Sequence, residues 1–354
     1  MADPAAILIG CSGATFTAEE RRLIARANPL GLILFRRNCA DANSIRALTA
    51  EFRDLVGRCD APVMIDQEGG RVQRLRPPEW PDLPAPGRYA ELDRCDPQLA
   101  AAKIGAHGRI IGLMLAELGI TVDAAPVLDL LFDGASSVVG DRAFGSDPHR
   151  VAVLGRAMAD GLSSAGVAPV MKHLPGHGRA KLDSHHGLPR VDAPLDLLEA
   201  SDFVPFAALA DLSWGMTAHV VYADVDPDLP ATLSPTVIQD IIRGKIGFDG
   251  LLTTDDLAMG ALTGSPNERV ARCLDAGCDI ALYCDPSPRR LASALEAARP
   301  LSRDGLARLK RWQMAASQAR PGQWAHEYAE FAPPAASAPD NAASTRADTP
   351  VADR

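Results

Sequence analysis

Eight short aliphatic runs recur along the chain, at 6–10, 31–35, 62–66, 120–124, 167–172, 214–219, 250–254 and 279–284, and a longer stretch with helical spacing follows each. The stretches are predicted as helices at 18–27, 42–56, 98–118, 149–164, 195–210, 235–245, 267–276 and 288–298. Capping residues Thr17, Asp41, Asp147 and Ser234 stand just upstream of several of them. Strands that alternate with helices pair in parallel through right-handed crossovers, and eight such units are the number that closes a (β/α)8 barrel. An open doubly wound sheet is the competing arrangement. It would bring a glycine-rich phosphate turn after its first strand, and neither G-x-G-x-x-G nor a P-loop occurs. The predicted fold class is therefore α/β, a single (β/α)8 TIM-type barrel over residues 1–320. From 321 the alternation stops, and 332–354 is rich in Ala, Pro, Ser, Thr and Asp with Val351 as its one branched aliphatic residue. Residues 321–354 are expected to be a disordered tail, since they carry too little apolar surface to order themselves.

Composition narrows the function classes. With 36 Lys+Arg against 45 Asp+Glu, the chain carries a formal net charge of −9. It lacks the basic footprint that backbone phosphates demand, so nucleic acid is not an expected partner. At 47% apolar and 23% charged it has material for a packed core. No run approaches the ~18 uncharged apolar residues of a membrane span, so no membrane partner is expected. Leu8-Ile9-Gly10-Cys11 resembles a lipoprotein cleavage box, but Asp3 and no Lys or Arg precede it, and the apolar segment is too short for a signal sequence. Seven scattered cysteines, none spaced as C-x-x-C, indicate neither a disulfide framework nor a zinc knuckle. A cytoplasmic location and a monomer are expected.

Catalytic groups of such barrels project from the C-terminal strand ends. Those ends are polar here: Asp66-Gln67-Glu68-Gly69-Gly70-Arg71 after the third run, Asp123 and Asp129 after the fourth, Lys172-His173 at the fifth, His219 at the sixth and Asp255-Asp256 at the seventh. Singly, each Asp is more often a cap or turn residue than a catalyst. Their convergence on one rim carries the argument. Half of the eight histidines fall within 172–187, where Lys172-His173-Leu174-Pro175-Gly176-His177-Gly178 leads to Asp183-Ser184-His185-His186-Gly187. Three readings compete. His173, His177 and His185 could ligate a metal, although H-x3-H on a Pro/Gly-broken loop is not the helical pair of H-E-x-x-H. The histidines could simply cap backbone groups. Or the loop does acid/base work: Asp183 and His185, two apart, lie on one side of an extended segment, where the carboxylate orients the imidazole. Gly176, Gly178 and Gly187 would then let the loop swing over a ligand.

The strings K-H-L-P-G-H-G with D-S-H downstream, D-Q-E-G-G-R-V-Q-R (66–74), A-P-V-L-D (125–129), D-R-A-F-G (141–145), M-T-A-H-V (216–220) and T-D-D-L-A-M (254–259) together resemble the bacterial β-N-acetylhexosaminidases of glycoside hydrolase family 3, the single-domain enzymes of peptidoglycan recycling. The resemblance covers roughly residues 5–320, with six motifs in the same order. It implies Asp255 as nucleophile, in a motif usually written S-D-D-L where Thr254 replaces Ser. It implies His185 as acid/base with Asp183 as its partner, and sugar contacts at Asp66, Arg74, Arg142, Lys172, His173 and His219. The larger members carry a second α/β domain that nothing beyond 321 could form.

Retaining cleavage needs a nucleophile beneath the anomeric carbon and a proton donor beside the leaving oxygen. The resemblance thus implies an exo-β-N-acetylglucosaminidase acting on N-acetylglucosamine-terminated muropeptides through a covalent intermediate, with no metal or organic cofactor. Because the acid/base is a histidine and not a second carboxylate, an anionic acceptor is tolerated, and an N-acetylglucosaminide phosphorylase is an open alternative. So are a β-glucosidase on the same scaffold, a metal-dependent barrel hydrolase, and a sugar-binding protein without turnover, against which the Asp255 and Asp183/His185 set argues.

Overall fold

Aliphatic runs buried on both faces suit parallel pairing, because crossover helices cover the sheet's outside. Eight strands form from them: β1 (Ala5–Ile9), β2 (Pro29–Leu34), β3 (Val63–Ile65), β4 (Val122–Asp123), β5 (Ala168–Leu174), β6 (Trp214–Thr217), β7 (Leu251–Asp256) and β8 (Ile280–Tyr283). They pair in parallel in chain order, and Ile7 to Ile9 of β1 run beside Ala281 to Tyr283 of β8 to close the barrel. The predicted (β/α)8 architecture is the one observed, with each strand within about two residues of its expected place. This computed structural model describes residues 3–134, 136–181, 187–316, 322–331 and 333–334.

Local chemistry sets the helix starts. Thr17 Oγ1 accepts the Glu20 N–H at 3.2 Å while the Glu20 carboxylate accepts the Thr17 N–H at 2.7 Å, a reciprocal cap on α1 (Ala18–Ala27). Asp41 caps α2 (Ala42–Val56) through the Ser44 N–H, and Asp147 caps Pro148–Ser164 through the N–H groups of His149 and Arg150. The helix expected at 195–210 is broken into Leu195–Ala200 and Val204–Ala208. Pro205 has no N–H for the Ser201 carbonyl, and Asp202 turns aside to hold Arg179 at 2.8 Å.

Within the segment expected to be a structureless tail, Trp324–Glu330 is helical. Arg109 grips the Glu327 carboxylate at 2.9 Å, and the Trp324 indole donates to Glu117 at 2.9 Å, so this turn folds back on the helix Pro97–Glu117. That longer helix, with a mean hydropathy of 1.3 in its most apolar stretch, is by length and composition alone apolar enough to cross a membrane. Here Ile104, Ile111, Met114 and Leu115 are buried in the core.

Pro97–Glu117 and Pro148–Ser164 meet backbone to backbone. A Cβ on Gly161 would lie 2.2 Å from the Gly105 carbonyl oxygen and 2.7 Å from the Arg109 nitrogen. Replacing a helical glycine by alanine ordinarily stabilises by about 1 kcal/mol. Gly161→Ala should do the reverse, lowering stability by about 1–3 kcal/mol through forced separation of the helices. Thermal unfolding checks this, and an unchanged or higher Tm would contradict the close approach.

Candidate active site

The site begins where β3 ends. After Asp66 the chain forms a hairpin, Gln67–Gly69 against Val72–Gln73, turning through Gly69 and Gly70, both at positive φ where glycine is favoured. The buried Gln67 amide holds the returning leg: its Oε1 accepts the N–H groups of Arg74 and Leu75 at 2.9 and 3.0 Å, and its Nε2 donates to the Leu75 carbonyl at 3.1 Å. Arg74 is thereby returned beside Asp66, which it meets at 3.1 Å.

Lys172 enters from β5 and is 2% exposed at its side chain. Its ammonium contacts Asp66 at 3.0 Å and Glu68 at 2.6 Å. Glu68, equally buried, is also held bidentately by Arg142 at 2.7 and 2.8 Å. Burial alone would raise both carboxyls, but Lys172 and Arg74 outweigh it at Asp66, and Arg142 and Lys172 outweigh it at Glu68, so both lie below the usual range. Asp123, at the end of β4, goes the other way. Burial pushes its carboxyl well up, and its one hydrogen-bonded oxygen accepts the Gln67 N–H at 2.9 Å. The cluster therefore sets three cations, Arg74, Arg142 and Lys172, around two carboxylates, Asp66 and Glu68, with the raised carboxyl of Asp123 alongside.

Asp129, fully buried, organises the next wall. Its Oδ2 accepts from His173 Nδ1 at 2.6 Å, and its Oδ1 accepts the His177 N–H at 2.6 Å and the His173 N–H at 3.3 Å. A carboxylate only accepts, so the proton on His173 sits on Nδ1 and Nε2 is the ring position left for a ligand. Burial would raise the Asp129 carboxyl, yet His173 and these donors bring it to about 2.

The third wall is β7 and its surroundings. The buried Thr254 hydroxyl accepts the Leu282 N–H of β8 at 2.9 Å, a bond that a serine hydroxyl could make as well. Asp255 accepts the Asp256 N–H at 2.8 Å. Asp256 Oδ1 is committed to the N–H groups of Ala258 and Cys284, at 2.8 and 3.0 Å. Burial, with Asp255 alongside, raises the Asp256 carboxyl to about 6.

Asp66, Arg74, Arg142, Lys172, His173 and Asp255 line one cleft of about 520 Å³ at the C-terminal mouth of the barrel. His219 does not. It is fully buried, its Nε2 donates to the Asp256 carbonyl at 3.0 Å, and Nδ1 meets the Thr232 hydroxyl at 2.7 Å. With both ring nitrogens engaged it supports the strand end beside Asp255, and neither nitrogen is left over for the sugar contact expected of it. Asp183 and His185 lie outside the described residues. A Cβ on Gly178 would stand 2.1 Å from the Leu130 carbonyl oxygen, so this glycine answers a close approach. Among the described residues, no three His, Cys, Asp or Glu side chains converge as metal ligands. Sequence reasoning missed Glu68 and Asp129 as partners of Lys172 and His173. Both stand in strings already singled out, but nothing in a linear sequence pairs positions 68 and 172, or 129 and 173.

A parallel barrel whose strand ends gather a carboxylate-and-cation clamp opposite a strand-seven aspartate has the layout of a glycoside hydrolase. Residues 6–308 match the Glycosyl hydrolase family 3 N terminal domain, and the chain belongs to that family. It is similar to the Beta-hexosaminidase of Alkalilimnicola ehrlichii, 42% identical over 283 residues that span 79% of this chain and 80% of that protein. The NagZ of Neisseria gonorrhoeae in complex with N-trifluoroacetyl-D-glucosamine superposes with a TM-score of 0.83 at 31% identity, covering 93% of this chain and 98% of that one. A glycoside hydrolase family 3 β-N-acetylglucosaminidase from Paenibacillus does so at 0.79 and 30%, covering 97% of this chain and 65% of its own.

Two expectations follow from the electrostatics. Glu68→Gln leaves Lys172 and Arg142 buried with one charged partner fewer, costing on the order of 3 kcal/mol. It should lower both the unfolding midpoint and kcat/KM, and an unaffected enzyme would show that the clamp does not need this charge. At Asp256 the folded-state carboxyl is raised to about 6, so the folded chain holds a proton that the unfolded chain has lost, and stability falls as pH rises from about 4 to about 6. Asp256→Asn keeps the accepting oxygen and removes this titration. Its stability gain over the parent should grow across that window and then level off, as read from urea midpoints at several pH values. A pH-independent difference would refute the raised carboxyl.

Proposed function

We propose that this chain is a retaining exo-β-N-acetylglucosaminidase that removes terminal non-reducing N-acetylglucosamine from peptidoglycan fragments through a covalent glycosyl-enzyme. The carrying observation is the single cleft in which Asp66, Arg74, Lys172 and His173 face Asp255. Membership of glycoside hydrolase family 3, and the β-hexosaminidase and NagZ relatives, make the general activity that of a β-N-acetylhexosaminidase on small carbohydrates. Seven unpaired thiols support a reducing, cytoplasmic setting.

In this reading the ionised Asp66 accepts from sugar hydroxyls while Arg74 and Lys172 donate to them, each held in place before the sugar arrives. His173 Nε2 meets a further hydroxyl. Asp255 attacks the anomeric carbon as His185 donates its proton to the departing glycosidic oxygen. His185, held by Asp183, then takes a proton from water, which displaces Asp255 and releases the sugar with net retention. Asp256, committed to two backbone N–H groups, fits the role of a support, which favours Asp255 as the attacking carboxylate.

Release of a chromophore from the β-N-acetylglucosaminide, beside the β-glucoside and with or without phosphate and a chelator, tests the assignment. The acetamido sugar should turn over, Asp255→Asn should abolish turnover, and chelator should change nothing. Free N-acetylglucosamine is the expected product, whereas a sugar 1-phosphate would identify a phosphorylase. His185→Ala should lose about 10²–10⁴ in kcat/KM with a poor leaving group, and much less with one that needs no proton. Equal losses for both leaving groups would remove His185 from the acid role.

A further inference from the structure

His177 is 4% exposed, lines the cleft together with His173 and Asp255, and has no hydrogen-bond partner at either ring nitrogen among the described residues. An imidazole carries a donor and an acceptor, and leaving both unmet in a buried position is costly. Such groups in native proteins are nearly always satisfied, so a buried pair of nitrogens unmet among the described residues, on the wall of a binding cleft, calls for a further partner that a bound ligand can supply.

The backbone that carries this ring is firmly held. Its backbone N–H is fixed on Asp129 at 2.6 Å, the carboxylate that also holds His173. The preceding Gly176 carbonyl accepts the Tyr222 hydroxyl at 2.7 Å, and Gly178 abuts the Leu130 carbonyl. The His177 ring stands edge-on to His173, with centroids 5.9 Å apart. Burial lowers its basicity and outweighs the pull of Asp129, so the ring is neutral near pH 7. A neutral imidazole suits uncharged sugar groups.

We propose that His177 is a substrate-contacting residue, its two ring nitrogens hydrogen-bonding neutral polar groups, hydroxyl or acetamido, of the N-acetylglucosamine unit bound against Asp255. This rests on the reading of the cleft as the sugar site. It gives the second histidine of K-H-L-P-G-H-G a task apart from metal binding or backbone capping, and distinct from the clamp built on Asp66 and Lys172.

The test is an NMR titration of the ¹⁵N-histidine-labelled wild-type chain with N-acetyl-D-glucosamine, the His177 signals being assigned by their loss in His177→Gln. Shifts at both His173 and His177 are expected. A shift at His173 without one at His177 overturns the inference alone, whereas no shift at either overturns it together with the sugar-site reading. Kinetics supply the second arm. His177→Phe, which fills the space without polar atoms, should raise KM and lose roughly 10-fold or more in kcat/KM, while His177→Gln, which retains a neutral donor and acceptor, should recover most of it. A loss confined to the acetamido sugar assigns the acetamido group, and a parallel loss on the β-glucoside assigns a hydroxyl. Equal behaviour of the Phe and Gln variants would reduce His177 to packing and refute the contact.

Discussion

The buried ammonium of Lys172, set between Asp66 and Glu68, is the contact around which the cleft is organised. An ammonium removed from water is stable only when opposite charges replace its hydration. Glu68 in turn needs more than one partner, and Arg142 supplies the second. Arg74 does the same for Asp66. The cluster therefore links β5, the β3 hairpin and the segment around Arg142 through charge compensation that no single pair could provide. Because its members are held by one another, those that line the cleft are already oriented.

A second carboxylate repeats this logic on the neighbouring wall. Asp129 takes donors from His173 and from the His177 backbone, which fixes the tautomer of one histidine and the location of the other. On the strand-seven wall, Asp256 accepts two backbone N–H groups and receives His219 at its carbonyl, so the strand end carrying Asp255 is braced from both sides. Each of these cleft groups thus has a neighbour whose polar capacity is committed to positioning it.

Much of the fold was readable from residue order. The eight aliphatic runs became the eight strands, and Thr17, Asp41 and Asp147 capped the helices they were expected to start. Where the reading departed from the structure, a tertiary contact decided. Asp202 reaching Arg179, with Pro205 following, broke a helix that looked continuous by spacing. Arg109 and Glu117 anchored Trp324–Glu330, whose own composition carries no strong signal for order.

The candidate site divides the same way. Asp66, Arg74, Arg142, Lys172, His173 and Asp255 were visible because polar residues at strand ends stand out against apolar neighbours and because their strings match a family pattern. His219 shared that signal and proved to be a buried brace, since position at a strand end does not say toward what a side chain turns. The sequence by itself determined the strand–helix alternation, and with it the barrel and the rim where chemistry collects, because period and capping are local properties of the chain. Only the tertiary structure decided that Glu68 faces Lys172 and Arg142, that Asp129 holds His173, and that the ring nitrogens of His177 are without a protein partner among the described residues. Charge compensation and hydrogen-bond saturation are properties of groups brought together from distant positions, and they exist only once the barrel has closed.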